Sequence, residues 1–150
     1  MVSDINLQIS WNNSNVLKNK LSIKTELKNK IKEKFIRILK LLEINGSYIL
    51  EIELISKEKI RELNKEYRDK NKSTDVLSFP TYIKFSDTAN TQILGTIFIC
   101  VDHIFSKKNT TDQTISKNLH ELTIHGFIHT LGFDHETDPE AWKNLEKNIK

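Results

Sequence analysis

Three histidines stand within eleven residues in the last third of the chain, in the run HGFIHTLGFDH that spans His125–His135. His125 and His129 are four apart, so on a helix they lie one turn apart on one face and can share a metal ion. Gly132 can take the left-handed conformation that ends such a helix. The reversal it allows is expected to bring His135 back to the same ion from the following loop. Three neutral imidazoles leave a fourth position open, the layout of a catalytic rather than a structural zinc. A zinc held in this way lowers the pKa of its water to about 7, which makes hydroxide usable at neutral pH without a neighbouring carboxylate. The spacing therefore predicts one zinc per chain on His125, His129 and His135. Scattered polar residues on a core helix would explain a lone histidine, but not three at ligand spacing.

The frame is similar to that of the metzincin proteases, HExxHxxGxxH. Gly126, however, stands where those enzymes carry the glutamate that serves as general base. The single methionine is Met1, so their methionine turn is missing too. Two further histidines fall outside the set. His120 lies five residues before His125, about 140° around a helix, in line with Ile124, Phe127 and Leu131. It reads as a packing residue with its polar atoms satisfied. His103, beside Asp102 at the end of a strand, has no partner at ligand spacing.

These residues need elements to hold them. Ile5, Leu7, Ile9 and Trp11 alternate with polar neighbours, as in a half-buried strand. From about Asn15 the period changes: Ile23, Leu27, Ile31, Phe35, Ile38 and Leu42 mark one long amphipathic helix, stopped at Asn45-Gly46. Tyr48–Ile55 reads as a strand, and Ser56 caps a short helix carrying Ile60, Leu63 and Tyr67. DVLSFP, ending at Pro80, and Ile93–Val101 flank a polar loop and are expected to pair as an antiparallel hairpin. The metal-site helix runs from about Asp112 to Leu131. Asp138-Pro139 then opens a short C-terminal helix, with proline at its first position. The fold class is α+β: one mixed α/β domain over residues 1–150, with a sheet of about four strands packed by helices.

Composition narrows the setting. The chain has 150 residues, 37% hydrophobic and 29% charged, ordinary for a soluble globular domain. No signal peptide is read at the N-terminus, and the longest apolar stretch, Ile93–Val101, is half the length a membrane span needs. Cys100 has no intrachain partner, which excludes a disulfide framework and points to a reducing, cytoplasmic setting. Net charge is only +3, yet between Asn12 and Lys40 eight lysines and Arg37 face Glu26 and Glu33, nine positive charges against two negative. Lys20, Lys24, Lys28 and Lys32 would form one helical stripe. A solvated helix face is the ordinary explanation, and an electrostatic footprint for a polyanion such as RNA the sharper one.

A second segment, LNKEYRDKNKSTDVLSFP (Leu63–Pro80), has physical content of its own, since Arg68 near a helix C-terminus complements the dipole. Together with HGFIHTLGFDH it resembles the YbeY family of bacterial endoribonucleases and rRNA maturation factors, whose pattern runs YR…TDVLSFP, LGDI, HGxLHLxGYDH. The likeness covers Leu63 to His135 in the family's order and spacing. It implies that His125, His129 and His135 are ligands of a metal, usually zinc, and that Arg68 contacts the RNA phosphate beside it as a catalytic and substrate-binding residue. It also implies cleavage of single-stranded RNA, processing of the 3′ end of small-subunit rRNA, and a part in ribosome maturation and quality control. The partners implied are rRNA and the ribosome or its proteins, with no membrane and no DNA. Two departures stand out: Thr96 replaces the acidic residue expected after Gly95, and Thr130 replaces an apolar residue within the histidine motif. The competing readings are a metzincin-like metalloprotease and a non-catalytic ribosome-assembly factor with a structural metal.

Overall fold

The computed structural model describes residues 4–13, 25–81, 83–105, 111–134 and 136–149. The elements in chain order are β1 (Ile5–Asn13), α1 (Thr25–Leu41), β2 (Gly46–Ile55), α2 (Lys57–Arg68), β3 (Val76–Pro80), β4 (Gln92–Cys100), α3 (Val101–Phe105), α4 (Asp112–Thr130) and α5 (Pro139–Ile149). The fold is mixed α/β, as the patterning predicts, around a four-stranded sheet in the order β1-β2-β4-β3. β1 and β4 both run parallel to β2, while β3 is antiparallel to β4 and forms one edge. The expected hairpin is present, with Ser78 opposite Ile97.

Alternation along β2 sorts the two faces of the sheet. Tyr48, Leu50, Ile52 and Leu54 point into the main core, and Glu51 and Glu53 point away. α1 covers that core face with Ile31, Phe35, Ile38 and Leu39, the four-and-three stripe of its sequence. α4 lies beside it. The rings of Phe35 and Phe127 stack at 4.1 Å between centroids, joining the two helices in the centre of the core. Truncating Phe127 to alanine would cost about 3–5 kcal/mol. The other face is smaller: α2 closes it with Ile60 against Ile55, Leu77 and Cys100. Burial there pushes the Cys100 thiol up from its ordinary pKa.

Local signals set several boundaries as expected. The Ser56 side chain accepts from the Lys59 N–H and caps α2, and Asp138 Oδ1 accepts from Ala141 N ahead of α5. Two expectations need correction. The reversal after α1 falls on Glu43, at φ 57°, with Ile44 N bonding back to Leu39 O. Gly46 instead opens β2. The six-residue wrap leaves Ile44 packed on the core, and that apolar contact places the turn earlier than glycine alone suggests. His103 is not at a strand end either, because β4 stops at Cys100 and the chain turns into α3. There the Asp102 carboxylate accepts from Lys57 N at the start of α2, and His103 Nε2 stands 3.3 Å from Ser73 Oγ. The beginning of the long helix expected from Asn15, with Lys20, Ile23 and Lys24, lies outside the described residues, as does His135. Among the described residues no helix is long and apolar enough to cross a membrane.

Candidate active site

Helix α4 carries the first two histidines of the motif. Thr111 caps it in a reciprocal box with Thr114: Thr114 N donates to Thr111 Oγ1 at 3.2 Å, and Thr111 N to Thr114 Oγ1 at 2.8 Å. Gly132, at φ 97°, takes the left-handed turn past its end, and Gly132 N bonds back to His129 O. One turn apart, His125 and His129 present their Nε2 atoms 3.2 Å from each other. Two nitrogens bound about 2.0–2.1 Å from one zinc at a tetrahedral angle stand about 3.3–3.4 Å apart. The pair therefore fits a shared zinc with little movement. Among the described residues no larger cluster of ligand-type side chains occurs, and His135, the third expected ligand, lies outside them.

Trp142 of α5 backs this pair, and nothing in its spacing singles it out. Its ring is 4.9 Å from the His125 ring and 4.8 Å from that of His129, centroid to centroid. Its own Nε1 donates to Glu146 Oε1 at 2.6 Å, one turn further along α5. The indole is 4% exposed, so it keeps water from one side of both imidazoles and limits their rotation.

Arg68 ends α2, where the sequence places it. Its Nη2 donates to Ser78 O on the free edge of β3 at 2.9 Å, and its guanidinium carbon lies 5.6 Å from the Phe79 ring centre. From there the side chain faces the same open cavity of about 350 Å³ that His125, His129, Phe133 and Asp134 line. The structure thus brings together residues 57 positions apart in sequence, Arg68 and His125, through the β3 strand between them.

Ser78 is the other residue that spacing alone does not reveal. Its hydroxyl donates to Gly126 O at 3.0 Å in the buried contact between β3 and α4. Gly126 needs to be a glycine here. A Cβ at that position would stand 2.6 Å from Ile97 Cγ2 and 3.0 Å from Ser78 Oγ. The helix is pressed onto the sheet at the place where a metzincin carries its glutamate. A glutamate there would point into packed strands.

The two departures from the family pattern have simple places. Thr96 alternates with Ile97 along β4, so it faces away from α4, and its hydroxyl donates to Glu51 Oε2 at 3.1 Å. Thr130 is buried, its hydroxyl satisfied by Phe127 O at 2.6 Å. His120 calls for a correction. It packs beside a second cavity of about 480 Å³, with Lys34, Lys117 and Glu121, but among the described residues its buried Nε2 has no hydrogen-bond partner. Burial, helped by Lys34, holds its imidazole below the usual histidine pKa.

Comparison with known proteins agrees with the resemblance seen in the motifs. A family model described as Endoribonuclease YbeY matches residues 13–150. The Endoribonuclease YbeY of Sulfurovum sp. (strain NBC37-1) is 45% identical over 102 residues, which are 66% of this chain and 69% of that protein. The one from Finegoldia magna is 38% identical over 119 residues, 77% of this chain and 76% of its own length. A Thermotoga maritima protein, known from a solution structure, shares the fold with a TM-score of 0.51 at 27% identity, over 95% of this chain and 86% of that one.

Proposed function

The chain belongs to the YbeY endoribonuclease family, and from that premise we propose that it is a zinc-dependent endoribonuclease that cuts single-stranded RNA. Residues 1–150 act as one catalytic domain on this reading. The observation that carries it is the convergence of the Arg68 guanidinium and the His125 and His129 imidazoles on one open cavity. His125, His129 and His135 hold the ion. When bound, it supplies Lewis acidity at phosphorus and the means to ionise water near neutral pH.

The chain's own residues do the rest. Arg68, tied at one corner to Ser78 O and resting on Phe79, keeps its remaining N–H donors for two oxygens of a phosphate. Its charge then stabilises the negative charge that builds up as the phosphodiester is attacked. Trp142 holds both imidazoles in the orientation in which their Nε2 atoms converge. The natural target on this reading is ribosomal RNA, at the 3′ end of the small-subunit species, in the cytoplasm and in contact with the ribosome.

The crowded contact at Gly126 weighs against a metalloprotease, because any side chain at that helix position would press on Ile97 and Ser78. Purified protein is expected to cut labelled single-stranded RNA, to lose that activity with a chelator, and to leave casein intact. Chelator-sensitive proteolysis by the wild type that His125→Ala abolishes would reverse the assignment.

A further inference from the structure

We infer that Tyr67 is a stacking platform for an unpaired nucleobase next to the phosphate held by Arg68. The inference rests on the ribonuclease reading of the site. An exposed tyrosine by itself means little, since single apolar side chains are common on protein surfaces. Leu41, Phe85 and Ile93 are exposed here as well. Phe85 also rests on an aromatic ring, Tyr48, at 6.3 Å, so what sets Tyr67 apart is such support combined with its place beside Arg68.

Its support is a short aromatic pedestal. Tyr67 is 60% exposed, yet it packs edge-on against Phe79, with ring centres 5.3 Å apart and planes at 68°. Phe79 is held in the same manner by Phe98, at 5.5 Å and 78°. The outermost ring is thus fixed from beneath and open to solvent. A base stacking on it meets a surface already ordered, so little side-chain entropy is lost on binding.

Its position ties it to the proposed chemistry. Arg68, the next residue, rests on the same Phe79 ring at 5.6 Å, so its guanidinium carbon and the Tyr67 ring centre are at most 10.9 Å apart, the two legs of 5.3 and 5.6 Å laid end to end. Phe79 and Ser78 are neighbours on the edge strand β3 and point to opposite faces of the sheet. Arg68 reaches round that edge to Ser78 O and the histidine cavity, while Tyr67 stays on the other side. A strand with one phosphate on Arg68 therefore crosses the β3 edge, and the base next to that phosphate meets Tyr67. Lys65, Lys70 and Lys72, all exposed on this helix end and the loop after it, outnumber Glu66 and Asp69 along the same path. Every base offers a π face, so the contact tolerates any sequence, but a base inside a duplex has no free face to give.

The test measures binding rather than cleavage, by fluorescence anisotropy of a short labelled single-stranded RNA with the full-length protein as purified, read before cleavage sets in. Tyr67→Ala and Tyr67→Leu are expected to weaken binding roughly tenfold, while Tyr67→Phe and Tyr67→Trp retain it. An oligonucleotide series with one abasic position at a time locates the contact. At one position the wild type loses the same factor, and Tyr67→Ala becomes indifferent to the missing base. Duplex RNA should bind wild type and Tyr67→Ala alike. The inference is overturned if Tyr67→Ala binds as the wild type does, or if its loss is equal for every abasic position and for duplex. If the wild type neither binds nor cuts RNA, the ribonuclease reading falls with it; if it does both and only the Tyr67 pattern is absent, the stacking assignment alone is wrong.

Discussion

The Ser78 hydroxyl donates to the main-chain oxygen of Gly126 across 3.0 Å, and this bond clamps α4, the helix of His125 and His129, to the strand that holds Arg68. Ser78 serves both sides at once, its own carbonyl oxygen accepting from Arg68 Nη2 and its hydroxyl bonding beside His125. Ser78 is therefore a direct link between the strand that anchors the guanidinium and the helix that carries the imidazoles.

Gly126→Ala tests that clamp. The added methyl would stand 2.6 Å from Ile97 Cγ2 and 3.0 Å from Ser78 Oγ, so α4 must move off the sheet. Urea unfolding is expected to show a loss of about 1–3 kcal/mol. RNA cleavage should fall further than metal affinity, because both histidines move together while Arg68 stays with β3. Unchanged stability and cleavage would mean that the contact is not held in solution.

Metal content tests the ligand set. The purified protein is expected to carry close to one zinc per chain, and His129→Ala to lose most of it. Trp142 lies against both imidazoles, so zinc added to stripped protein should also change tryptophan emission, and Trp142→Phe should abolish that change. Elemental analysis giving equal zinc in wild type and His129→Ala would remove that residue from the site.

Arg68→Ala should lower the cleavage rate roughly 100-fold, the usual consequence of removing one preorganised charged donor. Lysine is expected to restore little of it, since an ammonium cannot make the planar two-point contact or rest on Phe79 in the same way. Both variants should fold and keep their zinc content, with only a small drop in melting temperature from the lost Ser78 and Phe79 contacts. Full cleavage by Arg68→Lys would leave that arginine with only its helix-end and strand-edge contacts.

His120 predicts a pH effect on stability. Burial lowers its folded-state pKa below the ordinary 6.5. Below that value the unfolded chain takes up a proton that the folded protein refuses, so the stability contribution is present at higher pH and is lost as pH falls through the ordinary histidine range. Chemical denaturation of wild type should therefore lose more stability between neutral and mildly acidic pH than His120→Gln does. Parallel curves for the two proteins would show that His120 titrates normally in the fold.

Much of this protein is legible in its sequence because much of it is local. The four-residue step from His125 to His129 needs only a helix to become a pair of converging nitrogens, and Gly132 ends that helix with its own backbone. Ser56, Asp138 and the alternation along β2 depend on neighbours a few positions away, so one chain segment suffices to read them. The turn after α1 is not local in this way: whether Glu43 or Gly46 reverses the chain depends on where Ile44 finds a core to enter. Only the tertiary structure decided that Ser78 would join Arg68 to the helix of His125 and His129, that Trp142 would cover both imidazoles, and that Gly126 would press so closely on Ile97. Those contacts join residues far apart in the chain. Their geometry follows from how β3 pairs with β4 and how α4 and α5 pack, and no periodicity within a single segment encodes the distance between two others.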